Sequence, residues 1–225
     1  MLNNKTIAVV VPTFNESTQI KMVLDSMPDF VDRIIVVDDC SKDDTVSHVQ
    51  EYFDNNSSNI NIPSLFKQDI VSNPYNKADI ELRERAKKEI DFFTPSEVLN
   101  HDDENERIIL IQHKKNGGVG AARATGYKWC KDHNISCSAA MDGDGQMDPS
   151  ELESICSPVI NEGVDYVKGN RLIHESAWVI IPKIRFFGNS ILSILTKIAS
   201  GYWHVSDTQT GYTAISNHGL NSIPL

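Results

Sequence analysis

The sequence predicts an α/β domain on a doubly wound, mainly parallel sheet, and three observations carry that expectation. Continuous β-branched runs alternate with stretches of helical spacing, the strand–helix unit repeats four times, and every run ends in polar or acidic residues. Strands buried on both faces read as uniform apolar runs, and their carboxyl ends are where such sheets bind ligands.

The first strand is 6-TIAVVVP-12, closed by Pro12. Ile20, Val23, Leu24 and Met27 then repeat at helical spacing, with Asn15 or Ser17 as the expected cap and Pro28 as the stop. Strand 33-RIIVVDD-39 runs into the turn 40-CSKDDT-45 and a helix that places Val46, Val49 and Phe53 on one face. A third strand, 107-RIILIQH-113, precedes 116-NGGVGAARATGY-127, whose glycines and small residues suit a closely packed helix. The fourth, 136-SCSAAMD-142, leads to Pro149 at the opening of a helix with Leu152, Ile155, Cys156 and Val159 on one side. Residues 54–106 break this rhythm and are too long for an ordinary connection, so they read as an insertion with a helical stretch at 79–93.

At 225 residues and 40% hydrophobic content, the chain is long enough for one domain, 1–225, with a sizeable core. A net charge of −10 disfavours nucleic acid as a partner, since phosphate binding needs a basic face. Four cysteines without C-x-x-C spacing and no signal peptide point to a reducing, cytoplasmic setting. No window reaches the roughly 20 apolar residues of a membrane span. The pattern is still running at 219-GLNSIPL-225, so further sequence after 225 is expected.

The four strand ends supply the chemistry. They are 12-PTFNE-16, Asp38 with Asp39, Asn116 with Gly117 and Gly118, and the acidic stretch 141-MDGDGQMDP-149. In a parallel sheet these lie along one edge and can converge on one crevice. Asp142 and Asp144 could aim two carboxylates at a hard divalent cation, with Gln146 as a neutral oxygen donor. Taken alone, the same stretch also reads as a solvated acidic turn in which Asp148 caps the next helix. Asp38 and Asp39 carry the same two readings, helix capping or hydrogen bonding to a nucleobase or ribose, and Asn116 with Gly117 could be simply a strand-to-helix turn. No G-x-G-x-x-G follows the first strand, which disfavours a dinucleotide-dependent dehydrogenase. Lys183, Arg185 and Lys197 accompany an apolar stripe of Ile184, Phe187, Ile191, Ile194, Leu195 and Ile198. That stripe fits a core-facing helix or an amphipathic helix on a bilayer surface.

Together, 9-VVVPTFNES-17, 34-IIVVDDCSKDDT-45, 116-NGGVGAAR-123, 141-MDGDGQMDP-149, 167-VKGNR-171 and 206-SDTQTGYTAIS-216 resemble family 2 glycosyltransferases of the GT-A fold. The likeness is greatest to the dolichyl- or polyprenyl-phosphate mannose and glucose synthases. It implies an inverting transferase that uses Mg²⁺ or Mn²⁺ and moves a hexose from a UDP- or GDP-sugar to a polyprenyl (dolichyl) phosphate at the cytoplasmic face of a membrane. A saccharide hydroxyl is the alternative acceptor, and a nucleotidyltransferase is the more remote alternative.

Carried over by residue, the resemblance makes Pro12, Phe14, Glu16, Val37 and Asp39 the nucleoside pocket. Thr13, Asn116, Gly117, Asp142, Gly143 and Arg171 complete the nucleotide-sugar site, and Asp142, Asp144 and Gln146 become the metal residues. Arg171 and Asp144 would stabilise the leaving diphosphate. Asp207 would be the base for a hydroxyl acceptor, or would position the sugar or its own loop when the acceptor is a phosphate. His204 and His218 are expected to be incidental. The chain departs from the family pattern in its insertion and in Thr213, where many relatives carry Arg or Lys.

Overall fold

Uninterrupted β-branched runs become the buried middle of the sheet. The computed structural model describes residues 1–56, 92–100, 106–170, 183–201, 210–223 and 225. Strands β1 (Ile7–Thr13) and β2 (Arg33–Asp38) are buried along their whole length and pair in parallel. β4 (Ile108–His113) joins β2 and β5 (Cys137–Ala140) joins β1, both in parallel. The short strands β3 (Ser96–Val98), β6 (Tyr166–Lys168) and β7 (Thr213–Ser216) complete a seven-stranded sheet of order β3-β4-β2-β1-β5-β7-β6. β3 and β7 run antiparallel to their neighbours β4 and β5. From β1 the chain builds outward through β2 to β4, then returns to the other side of β1 as β5. The order therefore reverses between β1 and β5, and that is where a crevice is expected at the carboxyl edge.

Side chains alternate between two cores. Ile7, Val9 and Val11 of β1 pack with α1 (Ile20–Asp25), α2 (Thr45–Asn56) and α4 (Leu152–Asn161). Ala8 and Val10 face α3 (Val119–Asp132) and Leu220 of α6 (Asn217–Ser222). With helices on both faces, the sheet is doubly wound, as the patterning predicts. Gly126 lets α3 lie against β1, because a Cβ there would collide with the methyl groups of Val10. Gly126→Ala should therefore lower stability by about 1–3 kcal/mol through overpacking, read as a shift in urea midpoint at unchanged slope.

Several expectations are corrected by the local structure. Neither Asn15 nor Ser17 caps α1: Gln19 occupies that position without a side-chain cap bond, after a turn in which Gln19 N and Ile20 N both donate to Glu16 O. Asn15 instead adopts φ 58° and accepts from Lys42 N through Oδ1. Part of the expected insertion belongs to the fold, since α2 runs to Asn56 and residues 96–98 form the edge strand β3. Its helical stretch at 79–93 falls, up to residue 91, outside the described residues. Asp148 does cap the 3₁₀ turn Pro149–Glu151, its Oδ1 accepting from Ser150 N at 2.9 Å, and α4 follows directly.

Helix α5 (Lys183–Ser200) turns the described part of its apolar stripe, from Ile191 on, outward. Ile191, Leu192, Ile194, Leu195 and Ile198 are exposed, whereas the polar Ser193 is buried. The core-facing reading of this helix is therefore replaced by an exposed apolar face. No helix among the described residues is long and apolar enough to cross a membrane.

Candidate active site

The crevice forms where β1 and β5 end side by side. Gly143 N donates to Pro12 O at 3.2 Å, and a Cβ on Gly143 would stand 2.6 Å from Thr13 Cγ2 and 3.2 Å from Pro12 O. Only glycine lets the acidic turn press this closely on the end of β1. Gly145 takes φ +71°, and Asp144 Oδ1 accepts from Gln146 N at 3.0 Å, so the turn is closed by its own carboxylate. Tyr212 Oη donates to Asp148 O at 2.8 Å and fixes the far end of the stretch. Phe14 stands exposed at the mouth, an aromatic face available to a planar ligand.

Glu16 senses the turn across the gap. Its carboxyl is raised above the usual value first by burial and then by the nearby charges of Asp144, Asp43 and Asp142. A carboxyl raised in the folded state holds its proton more tightly than the unfolded chain does. Its stabilisation is thus present at low pH and is lost as pH rises through the folded pKa. Negative charge thus gathers around Glu16, offset in part by the Arg123–Asp142 ion pair.

A second network makes the floor. Asp39 is buried, and its Oδ1 accepts from His113 Nδ1 and Gly117 N while Oδ2 accepts from Gly118 N, each at 2.7 Å. An ionised carboxylate only accepts, so His113 Nδ1 carries the proton. His113 Nε2 meets Thr125 Oγ1 at 2.9 Å, and Asn116 Nδ2 donates to Asp39 O at 3.2 Å. Asp39 thereby holds the glycine loop that leads into α3, bonding the amides of Gly117 and of the N-cap residue Gly118. The capping reading of Asp38 and Asp39 is corrected: among the described residues neither bonds to α2, whose first residue, Thr45, donates its N–H to Asp43 Oδ1 at 3.1 Å. Asp38 Oδ2 accepts from Ser41 N at 3.1 Å, while Asp39 organises the next glycine loop instead of its own helix.

The β1 and β2 loops brace one another as well. Ser17 N donates to Asp43 Oδ2 at 3.1 Å, Glu16 N to Thr45 Oγ1 at 2.9 Å, and His48 Nδ1 meets Ser17 O at 2.8 Å. Burial would raise the Asp43 carboxyl, but hydrogen bonds from Thr45 and Ser17 outweigh it and bring the pKa down to about 2. That contribution to stability is present above the usual carboxylate range and disappears as pH falls towards 2.

Phe14, Glu16, Asn116, Gly117, Asp142, Asp144 and Gln146 are all at least partly exposed along this edge. Pro12, Thr13, Asp39 and Gly143 lie beneath it and act through backbone and packing. Val37, expected in the nucleoside pocket, gives its side chain to the core on the α3 face, so only its backbone is left to meet a ligand. Arg171, Asp207 and His204 lie outside the described residues. His218 pairs with Asp165 at 3.2 Å beside Ser216, which is in register with the first residue of β5, so it sits at the opposite edge of the sheet. Sequence reasoning gave no role to Arg123, His113, Asp43 or Thr45. A buried histidine ending a strand, and an arginine one helical turn into α3, were the available signals.

A cation is the group implied for this edge, and the donors suit a hard one. Asp142, Asp144 and Gln146 offer oxygen only, as Mg²⁺ or Mn²⁺ prefers. Among the described residues no group of three or more His, Cys, Asp or Glu side chains is placed to hold a metal ion, so the protein's own donors here are two carboxylates and an amide. An ion held here by one or two carboxylates would keep positions for phosphate oxygens.

The model of glycosyl transferase family 2 matches residues 8–66 and 93–222. The chain belongs to that family. Its membership makes it a glycosyltransferase, and the family match breaks within the segment that interrupts the strand–helix rhythm. A UDP-N-acetylglucosamine–dolichyl-phosphate N-acetylglucosaminyltransferase of Methanococcus voltae is 28% identical over 219 residues, covering 96% of this chain and 72% of that protein. An uncharacterized protein of Methanocaldococcus jannaschii is 31% identical over 118 residues, or 52% of this chain and 48% of that one. Among solved structures, glucosyl-3-phosphoglycerate synthase of Mycobacterium tuberculosis superposes with a TM-score of 0.54 at 20% identity. A second structure of that enzyme, in complex with Mn²⁺, UDP and phosphoglyceric acid, gives 0.51 at 17% identity. The glycosyltransferase chain is covered to 96% in the first comparison but spans only 59% of the synthase. The shared fold is GT-A.

Proposed function

We propose that this glycosyltransferase is an inverting, metal-dependent enzyme that moves a hexose or N-acetylhexosamine from a nucleotide diphosphate, with UDP as the favoured carrier, to a polyprenyl phosphate. The observation that carries the reading is the close packing of the acidic turn on the end of β1, where Gly143 N donates to Pro12 O and a Cβ on Gly143 would collide with Thr13, so that Asp142 and Asp144 flank Gly143 beside the Phe14–Glu16 loop. The name of the Methanococcus voltae relative supports the lipid-phosphate acceptor and the uridine donor. The Mn²⁺ and UDP in the synthase complex agree with the donor set.

In this reading Asp144, Asp142 and Gln146 hold Mg²⁺ or Mn²⁺, which when bound offsets the charge that builds on the departing diphosphate. Phe14 stacks on the base, and the Asp39 network keeps the Asn116–Gly118 loop in place beside it. Arg171 adds positive charge at the leaving group. A phosphate acceptor is already an anion, so no general base is required, and Asp207 then positions the sugar or its own loop. With a hydroxyl acceptor Asp207 takes the proton. Transfer from UDP-N-acetylglucosamine or UDP-glucose to a short polyprenyl phosphate tests the acceptor directly. Product with the lipid phosphate supports the reading, and transfer only to saccharide hydroxyls contradicts it.

The exposed face of α5 supplies the membrane side of the proposal. Its apolar residues would rest in the headgroup region of the cytoplasmic leaflet, bringing the acceptor's phosphate to the crevice. Ile194→Lys with Leu195→Lys should reduce co-sedimentation with anionic phospholipid vesicles by about tenfold or more. Unchanged vesicle binding would remove this part of the proposal.

A further inference from the structure

We propose that Arg123 is the resident counter-ion of the cation position: it holds Asp142 when no cation is there and competes with an incoming one for that carboxylate. This rests on the metal-dependent reading above. Arg123 Nη2 donates to Asp142 Oδ1, and the two side chains are 25% and 29% exposed, so the pair lies at the surface of the crevice and not in the core.

Three features hold the guanidinium there. It sits against Gly211, where a Cβ would overlap Nη2 and crowd Cζ and Nη1, so that glycine acts as a socket for the arginine. The socket is rigid, because Tyr212 is buried, its Oη donates to Asp148 O at 2.8 Å, and its carbonyl accepts from Gly169 N at 2.8 Å. One turn further along α3, Tyr127 Oη meets Thr213 Oγ1 at 3.2 Å, which fixes the register of the helix against the same stretch. Arg123 Nε is buried and has no hydrogen-bond partner among the described residues, so the fork is committed on one side only.

Charge explains the consequence. Asp144, Asp43 and Asp142 act on Glu16, and Arg123 returns a single positive charge to this group, so an excess of negative charge is left. A divalent cation would offset that excess, but it must approach a carboxylate that a guanidinium already occupies, against like-charge repulsion. Once Asp142 is released, Arg123 presents a planar fork suited to phosphate oxygens. A cation should therefore bind weakly alone and better with a diphosphate, since the diphosphate gives Arg123 a new partner.

The test is Mn²⁺ binding without nucleotide, read as free Mn²⁺ by electron paramagnetic resonance, in the wild type, Arg123→Gln and Gly211→Ala. Arg123→Gln removes the competing charge, and Gly211→Ala pushes the guanidinium off its socket while keeping the arginine, so it also serves should the first variant fold poorly. Both should tighten Mn²⁺ by at least about threefold, the scale expected for removing a partly exposed ion-pair partner. A purely structural arginine would do the opposite, since its loss would loosen the acidic turn and weaken the ion. Unchanged or weaker Mn²⁺ binding in the folded variants overturns the proposal. If the wild type still binds Mn²⁺ and UDP, that failure leaves the glycosyltransferase reading standing. Absence of Mn²⁺ binding from all three proteins overturns the proposal and the metal-dependent reading together.

Discussion

Asp144→Ala is expected to reduce sugar transfer by about three orders of magnitude while leaving the fold intact, the scale of losing charge stabilisation at a leaving group. Asp144 packs into no core. It sits partly exposed in a turn that Gly143 and Gly145 shape, and its one internal bond there is to Gln146 N. Its removal also relieves repulsion on Glu16, so thermal stability should hold or rise slightly. Turnover of a UDP-sugar, with the unfolding midpoint as control, separates these effects. Activity within about threefold of wild type would mean that the carboxylate does not meet the reacting phosphates.

Asp39→Ala should cost about 3–5 kcal/mol of stability, the largest structural effect expected at the site. The carboxylate is buried and accepts from Gly117 N, Gly118 N and His113 Nδ1, so alanine strands three donors at once. Asp39→Asn keeps one acceptor oxygen but turns an N–H towards the site of another, and should cost nearly as much. Urea unfolding measures both. A loss under about 1 kcal/mol in either variant would show that water satisfies those donors and that the network is not structural.

The strand runs were legible because a strand covered on both faces leaves no polar alternation, and β1, β2, β4 and β5 fall within two residues of their expected bounds. The edge strands β3, β6 and β7 were not. Three or four residues such as 96-SEV-98 or 213-TAIS-216 carry too little pattern, and their pairing is fixed by neighbours far away in the chain. The acidic turn was legible from its spacing, but the partner of Asp142 was not, because Arg123 reaches it from α3, 19 residues earlier in the chain. The braces Glu16–Thr45 and Ser17–Asp43 are hidden for the same reason. Their donors and acceptors are common polar loop residues, and only the parallel pairing of β1 with β2 brings them into contact. Helix α5 shows the reverse limit: its stripe at helical spacing is plain in the sequence, but periodicity cannot say whether core or solvent lies on that side.

Calorimetric titration of UDP into the protein, with and without Mn²⁺ and in parallel for wild type and Asp144→Ala, tests the central claim that the strand-end carboxylates form a metal-dependent nucleotide-sugar site. The predicted result is UDP binding that Mn²⁺ strengthens by about tenfold or more in the wild type and leaves unchanged in the variant. Equal UDP affinity with and without Mn²⁺ in the wild type, or no UDP binding at all, would contradict it.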